Sequence, residues 1–394
     1  MAFNLTEVFT SLQKRIYNSD SDTNTQELLY FLKAALRGDQ NTVYAVDTKS
    51  DLPNLLDDSA DTESTIYVRS DEKLYFKQSG QWKPLRPYQP PKFQGTSGAF
   101  VMGGGSTSPH EPTIQYYPFA NPFTTTSAIG NLTVARGYAT GVRDITSENS
   151  YVAGGYQTGG AGSTSILERF PNATSISSVT NVGNLSATSH NNAGIASPAF
   201  GFVHMGIRAG VPTTKIDRFS FSSGATSGTD YGNITTSLGG QVAISDIANG
   251  KGYVRMSGTT MEAFPTAASS PFTATVAGSD PVIPYSPGEG GGWNSEDFGY
   301  WMNNSAVSKF PFAAATPITI SVIPGTPAND IIQVKGAPAS STTDGYIAGF
   351  SSPSPAPIGS VLKRPFANDT SSSRTQNALV YTSPNMQYVA GSHF

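Results

Sequence analysis

Three observations predict a mainly β protein built as a propeller of short, repeated four-stranded units. An apolar strand led by an aromatic residue recurs along most of the chain with a period of about 50 residues. A second apolar run follows each copy. The connecting stretches are dominated by turn formers, with 40 Gly and 27 Pro in 394 residues and only 13% charged residues, against roughly 25% in an average globular chain.

The first run appears as "AFVMGGG", "SYVAGG", "GFVHMG", "GYVRMSG", "GYWMNN", "GYIAGF" and "QYVAGSHF". Its aromatics are Phe100, Tyr151, Phe202, Tyr253, Tyr300, Tyr346 and Tyr388. Their spacings are 51, 51, 51, 47, 46 and 42 residues, so four consecutive copies are in identical phase. The second run appears as "YYPF", "ERFP", "DRFSF", "EAFP", "SKFPF" and "KRPF". A third, weaker element comes before new copies: "ARGYATGV", "NNAGIASP", "QVAISDI" and "QNALVYTSP". Strand-length apolar runs bounded by Gly, Pro, Asn and Ser, with no helical periodicity between them, are what propeller blades need. Alternation in "YVAGG" puts Tyr151 and Ala153 on one face and Val152, in phase with Val203 and Val254, on the other. Blades are covered on both faces, so both sets are expected in the core. The last copy ends the chain. The economical closure is a ring of six blades in which Gln387–His393 pairs beside the strand of Phe100; seven blades would require the N-terminal region to supply further strands.

The N-terminal part is different. Of 24 basic and 28 acidic residues, 11 and 13 fall within residues 1–92. Leu5, Val8, Phe9, Leu12 and Ile16 share one helical face, and Leu28, Phe31 and Leu32 belong to a second stripe that starts at an Asn24–Glu27 capping box and stops at Gly38. Short strands are expected over "NTVYAV", "STIYVRS" and "KLYFKQ". The sequence therefore divides into a small α+β domain over 1–85, a proline-rich linker over 86–97 and the propeller over 98–394. Two short helices with wide apolar stripes bury little alone, so this domain is expected to dock on a partner.

A net charge of −4 gives no basic footprint for nucleic acid. Without cysteine, disulfides, thiolate metal sites and Cys nucleophiles are excluded. No leader pattern or apolar run of about 18 residues occurs, which predicts a soluble chain without membrane insertion. His110, His190, His204 and His393 fall at unrelated phases and suggest no metal or triad set. Glu168 and Asp217 occupy equivalent repeat positions, which points to a structural role. "NSDSDTNTQELL" lacks the sixth-position glycine and twelfth-position glutamate of a calcium loop. No catalytic, cofactor or metal residues are expected, and no enzymatic activity. Two aromatics in glycine-rich stretches read as loops, Tyr156 and Trp293, are candidates for stacking on a glycan.

The apolar run followed by Gly-Gly resembles the kelch-type propellers over residues 98–394. The doublet is kept in two copies, Gly103-Gly104 and Gly154-Gly155, and the usual kelch tryptophan is missing. "GNLTVARGYATGV" followed by "SYVAGG", with "VYAVDTKSDLP" and "LYFKQSGQWKPL" ahead of a repeat region, resembles repeat-containing virion proteins of tailed bacteriophages, in particular marine cyanophages. That resemblance implies a non-enzymatic virion component made in the host cytoplasm and exposed on the particle in multiple copies or as a homo-oligomer. Residues 1–85 would dock on tail or capsid proteins through Leu5, Val8, Phe9, Leu12, Ile16, Leu28, Phe31 and Leu32. The propeller would contact a host glycan or protein as a tail-associated fibre or appendage. The alternatives are a head decoration protein and a carbohydrate-binding lectin.

Overall fold

The structure is a computed structural model. It describes residues 44–46, 65–68, 73–78, 81–84 and 94–393, apart from 106–108, 120–126, 146–148, 158–161, 222–226, 238–241, 256–259, 268–270, 280–290, 303–306, 313–316, 324–335, 351–359, 367–374 and 379–389. The chain forms two compact units, Met1–Pro90 and Pro91–Phe394. In the first, Tyr44–Val46, Thr65–Val68, Lys73–Gln78 and Gln81–Pro84 form one sheet in that order, its first pair parallel and the others antiparallel. The two expected helices and their stripe residues lie outside the described residues.

The second unit is mainly β and propeller-like. Five of its sheets each have four main strands consecutive in the chain, and sheets 3 and 4 gain a short parallel edge strand, Phe272–Thr273 and Ile318–Thr319, from the stretch that builds the next sheet. From inner to outer strand, sheet 2 holds Thr140–Asp144, Asn149–Ala153, Gly162–Pro171 and Thr180–His190; sheet 3 holds Ala193–Ala196, Phe200–His204, Lys215–Ser220 and Thr229–Asn233. Sheet 4 holds Val242–Asp246, Lys251–Arg255, Thr260–Pro265 and Thr275–Ser279. Sheet 5 holds Gly291–Asn294, Phe298–Met302, Val307–Pro311 and Ser321–Val322, and sheet 6 holds Ala337–Ser340, Asp344–Phe350, Ser360–Pro365 and Thr375–Ala378. Sheet 1 is composite. The C-terminal strand Ala390–His393 pairs with Gly98–Met102, Ser392 opposite Phe100, and Thr113–Pro118 and Ser127–Asn131 complete it.

This arrangement corrects the phase of the repeat. The aromatic-led run is the second strand of its sheet, and the weak elements around Thr140, Ala193 and Val242 are the inner strands. The described part of "QNALVYTSP" falls in Thr375–Ala378, which is the outer strand of sheet 6. The last run, read as another aromatic-led strand, supplies an inner strand instead, while Tyr388 lies outside the described residues. Its partner is nevertheless the strand of Phe100.

Inner strands touch one another in a closed cycle running through sheets 1, 2, 3, 4, 5, 6 and back to 1. Each contributes one small residue to the axis, and Gly141, Gly194, Ala243, Gly292, Pro338 and Gly391 line two cavities of about 50 Å³. Crowding explains the small side chains: a Cβ on Gly141 would sit 1.9 Å from the carbonyl oxygen of Gly391. Serine and asparagine tie neighbouring inner strands. Ser245 Oγ accepts from the Ala196 amide at 2.9 Å, and Asn294 Nδ2 donates to the Ser245 carbonyl at 2.9 Å.

The apolar core lies between the sheets, one cluster for each pair of neighbours. In every cluster the second-strand aromatic of one sheet meets an aromatic of the next, on the third strand at five interfaces and just past its end, at Phe366, between sheets 5 and 6. The centroid separations are 5.2 Å for Phe100–Phe170, 5.2 Å for Tyr151–Phe219, 5.8 Å for Phe202–Phe264, 5.0 Å for Tyr253–Phe310, 5.3 Å for Tyr300–Phe366 and 5.9 Å for Tyr346–Tyr117. A small residue precedes each second-strand aromatic and makes room for a ring. Gly201 is paired with Phe219, whose Cζ would lie 2.2 Å from a Cβ at Gly201. Tyr151, Val152 and Ala153 are all buried, as are Val203 and Val254.

Gly201→Val should therefore push the Phe219 ring off its strand and open the interface between sheets 2 and 3. We expect a loss of about 1–3 kcal/mol in denaturant unfolding, the usual cost of overpacking. An unchanged midpoint would mean that Phe219 does not lie over Gly201.

Candidate functional site

The two glycine doublets stand on either side of one short strand. Gly103 (φ 65°) and Gly154 (φ 60°) turn the chain after the second strands of sheets 1 and 2, in a region that favours glycine. The Gly104 amide donates to the Arg136 carbonyl at 3.0 Å, and Gly155 donates to the Ser189 carbonyl at 2.8 Å. Arg136–Gly137, the connection between the two sheets, pairs with Tyr156–Gln157, and Tyr156–Gln157 pairs with the start of Gly162–Pro171. Sheet 2 is also widened at this end by a hairpin, Ile207–Arg208 with Val211–Pro212, that adds to Ser189 and His190. The doublets thus occur in the two repeats that build this platform.

Four rings crown it. His110, Tyr138, His190 and Tyr156 form a cycle of edge-to-face contacts, with centroid separations of 6.4, 6.2, 5.3 and 6.0 Å around it. His190 Nδ1 lies 2.7 Å from Ser163 Oγ. Burial pulls the His110 imidazole below the ordinary histidine range, partly offset by a backbone hydrogen bond at Gly105. Tyr156 is 37% exposed, in keeping with its candidacy as a contact residue. His110 and His190 look unrelated in sequence because one comes from a loop of sheet 1 and the other from the end of an outer strand of sheet 2. Only the fold brings them together. His204 and His393 are buried in sheets 3 and 1.

Trp293 is a correction. The described part of its glycine-rich stretch, Gly291–Asn294, is the inner strand of sheet 5, and the indole is 3% exposed. It stacks parallel to Tyr300 at 6.1 Å, and a Cβ on Gly345 of sheet 6 would meet its ring at 2.1 Å. An inner strand covered on both faces takes even a tryptophan into the core, so Trp293 offers no surface to a glycan.

The repeated acids are spent on structure. Glu168, Asp217 and Glu262 occupy the same third-strand position, all buried. Each accepts hydrogen bonds from the amide and hydroxyl of one residue of the preceding sheet or its exit. Thr133 N donates to Glu168 at 2.7 Å, Ser186 N to Asp217 at 2.6 Å and Thr235 N to Glu262 at 2.8 Å. The hydroxyls of Thr133, Ser186 and Thr235 bond to the same three carboxylates. These donors end a recurring segment, "IGNLT", "VGNLS" and "YGNIT". Its first residue (Ile129, Val182, Tyr231) is the extra one of a β-bulge, where the pairing register shifts. Desolvation raises the Asp217 carboxyl above the ordinary aspartate range; its hydrogen bonds from Ser186 and the charge of Arg208 oppose that, and Asp230 adds to it. Glu168 also holds Arg136 at 2.7 Å, with both side chains fully buried. Burial lowers the affinity of that guanidinium for its proton, and Glu168 counteracts this.

Among the described residues no group of three or more His, Asp and Glu side chains is placed to hold a metal ion. Among the same described residues no helix is long and apolar enough to cross a membrane. No family profile and no curated protein matches the chain.

Removing one partner of a buried ion pair leaves the other charge uncompensated. Glu168→Ala should cost about 3–5 kcal/mol, whereas Arg136→Met combined with Glu168→Leu should recover much of that loss. Equal stability of the single and double variants in chemical denaturation would show that the pair is not buried as described.

Proposed function

We propose that the chain is a non-enzymatic structural protein of a tailed phage particle. Residues of the first unit dock on tail or capsid proteins, and the second unit faces outward as a tail-associated fibre or appendage that contacts the host. The observation that carries this reading is the resemblance of "GNLTVARGYATGV…SYVAGG", with "VYAVDTKSDLP" and "LYFKQSGQWKPL" ahead of it, to repeat-containing phage virion proteins.

We count the composite sheet as a blade and propose a six-bladed ring. The closed cycle of inner strands and the small residue that each places at the axis support that count. A ring locked at every interface by aromatic pairs suits a part that must survive outside a cell. The absence of catalysis is part of the proposal too. It is supported by the use of Glu168, Asp217 and Glu262, which lie buried under hydrogen-bond donors from a neighbouring sheet. Carboxylates held so are not free to act as an acid and base pair on a glycoside. A carbohydrate-binding role has one observation in its favour, the exposure of Tyr156.

The docking half is tested in the full-length chain with Phe9→Asp combined with Phe31→Asp. The parent protein should be found in purified particles by antibody labelling. The variant should remain outside them while keeping the melting temperature of the propeller. Absence of the parent from particles, or equal incorporation of the variant, would overturn the proposal.

A further inference from the structure

We propose that Asn249 is a self-modification site, where the Gly250 nitrogen displaces ammonia from the carboxamide and Asp246 is the latch that sets the rate. The inference does not depend on the virion reading. Asn249-Gly250 is the one Asn-Gly pair in the 394-residue sequence. It stands in the turn between Val242–Asp246 and Lys251–Arg255, the inner and second strands of sheet 4, with Asn249 exposed to water. In sheets 3 and 5 the same connection is tighter, and Ser197 and Ser295 accept the amides of Phe200 and Phe298 at 3.1 Å. Sheet 4 has Asp246 in place of that serine, a longer turn, and Asn249 as the donor.

The chemistry needs only water as a co-reactant. The Gly250 nitrogen bonds to Cγ of Asn249, the Cγ–Nδ2 bond breaks, and ammonia leaves with the amide proton. Water then opens the cyclic imide at either carbonyl, giving aspartate or isoaspartate. Glycine suits the attack because no Cβ obstructs ring closure and its backbone is free to rotate. Gly250 sits at φ 60°, and its amide makes a long hydrogen bond, 3.3 Å, to the Ile247 carbonyl.

Asp246 holds the reaction back. Its buried carboxylate accepts from the Asn249 backbone amide at 3.0 Å and from Nδ2 at 3.1 and 2.9 Å on its two oxygens. The carboxamide is tied to Asp246, so closure on Gly250 waits for those bonds to break. Once it has happened, the latch cannot close again. Burial already pushes the Asp246 carboxyl above the ordinary aspartate range, and the Asn249 donors and the charge of Lys251 oppose that. Deamidation replaces the side-chain donor by a second carboxylate, so two like charges face each other.

The full-length protein, aged in mildly alkaline buffer and mapped by peptide mass spectrometry, tests this. Asn249 should convert to a mixture of aspartate and isoaspartate. In Asp246→Ala it should convert about tenfold faster, the factor expected on losing hydrogen bonds to a charged group. A second pair of variants reads the same contact without ageing. Asn249→Asp should lower the melting temperature by about 2–4 °C, and adding Asp246→Asn, which restores a donor across the pair, should recover most of that loss. An intact Asn249 in the aged parent, at a time when the guanidinium-unfolded chain has converted, would overturn the proposal. Equal rates in the parent and Asp246→Ala would do the same, as would an Asn249→Asp melt that is unchanged or that Asp246→Asn does not restore.

Discussion

The contact on which the rest of the propeller unit depends is the ring-to-ring pair between sheets. A four-stranded sheet with two apolar faces cannot stand in water by itself, and each face needs a neighbour. The second-strand aromatic supplies that contact on one side, an aromatic on or just past the third strand of the next sheet receives it, and the small residue before each second-strand aromatic leaves space for a ring. Such pairs contribute about 0.5–1.5 kcal/mol each beyond the area they bury. Repeated at every interface, they reach the scale of the ~5–15 kcal/mol that separates folded from unfolded domains. The pairing also fixes the repeat length, because a shift of one residue would turn every ring to the wrong face.

The polar contacts are arranged around this apolar frame and are less regular. Buried acids capped by a serine or threonine of the preceding sheet occur where sheets 2, 3 and 4 receive their neighbours. The equivalent positions of sheets 5 and 1 carry Ser308 and Gln115, also buried. One carboxylate that takes both donors of a passing segment sets the height of one sheet against the next, a job that greasy faces do poorly. That function explains why the acid coincides with a β-bulge. The extra residue fills the interface, and the chain that follows is turned toward the neighbouring sheet.

Much of this was legible in the sequence. The spacing of Phe100, Tyr151, Phe202 and Tyr253 located the second strands, and the "ERFP" type of run located the third. Three of the short N-terminal strands are present near their expected bounds, and the final strand pairs with that of Phe100. The inner strands were hard to see for a physical reason. At a crowded axis only small residues fit, so Thr140–Asp144 or Ala337–Ser340 has little hydrophobic alternation, and the phase came out one strand late. The same crowding disguised Trp293 inside a run of glycines. Equivalent placement of Glu168 and Asp217 marked them as structural, yet their donors lie 35 and 31 residues upstream, on or just beyond a different sheet. The His–Tyr cycle joins a loop, a connection and two strand ends, and nothing in the spacing of those residues announces it.

The composite sheet locks the cycle of inner strands, since there Ala390–His393 completes the sheet begun by Gly98–Met102. A thermal melt of the chain shortened to residue 389 tests this most directly. Without Ala390–His393, Gly98–Met102 loses its inner partner and the inner strands of sheets 2 and 6 lose a neighbour. The account predicts a single transition displaced downward by more than about 5 °C, as for a loss of roughly 2 kcal/mol in a domain of this size, together with the appearance of oligomers as the freed edge pairs between molecules. An unchanged melting temperature in a protein that stays monodisperse would contradict it.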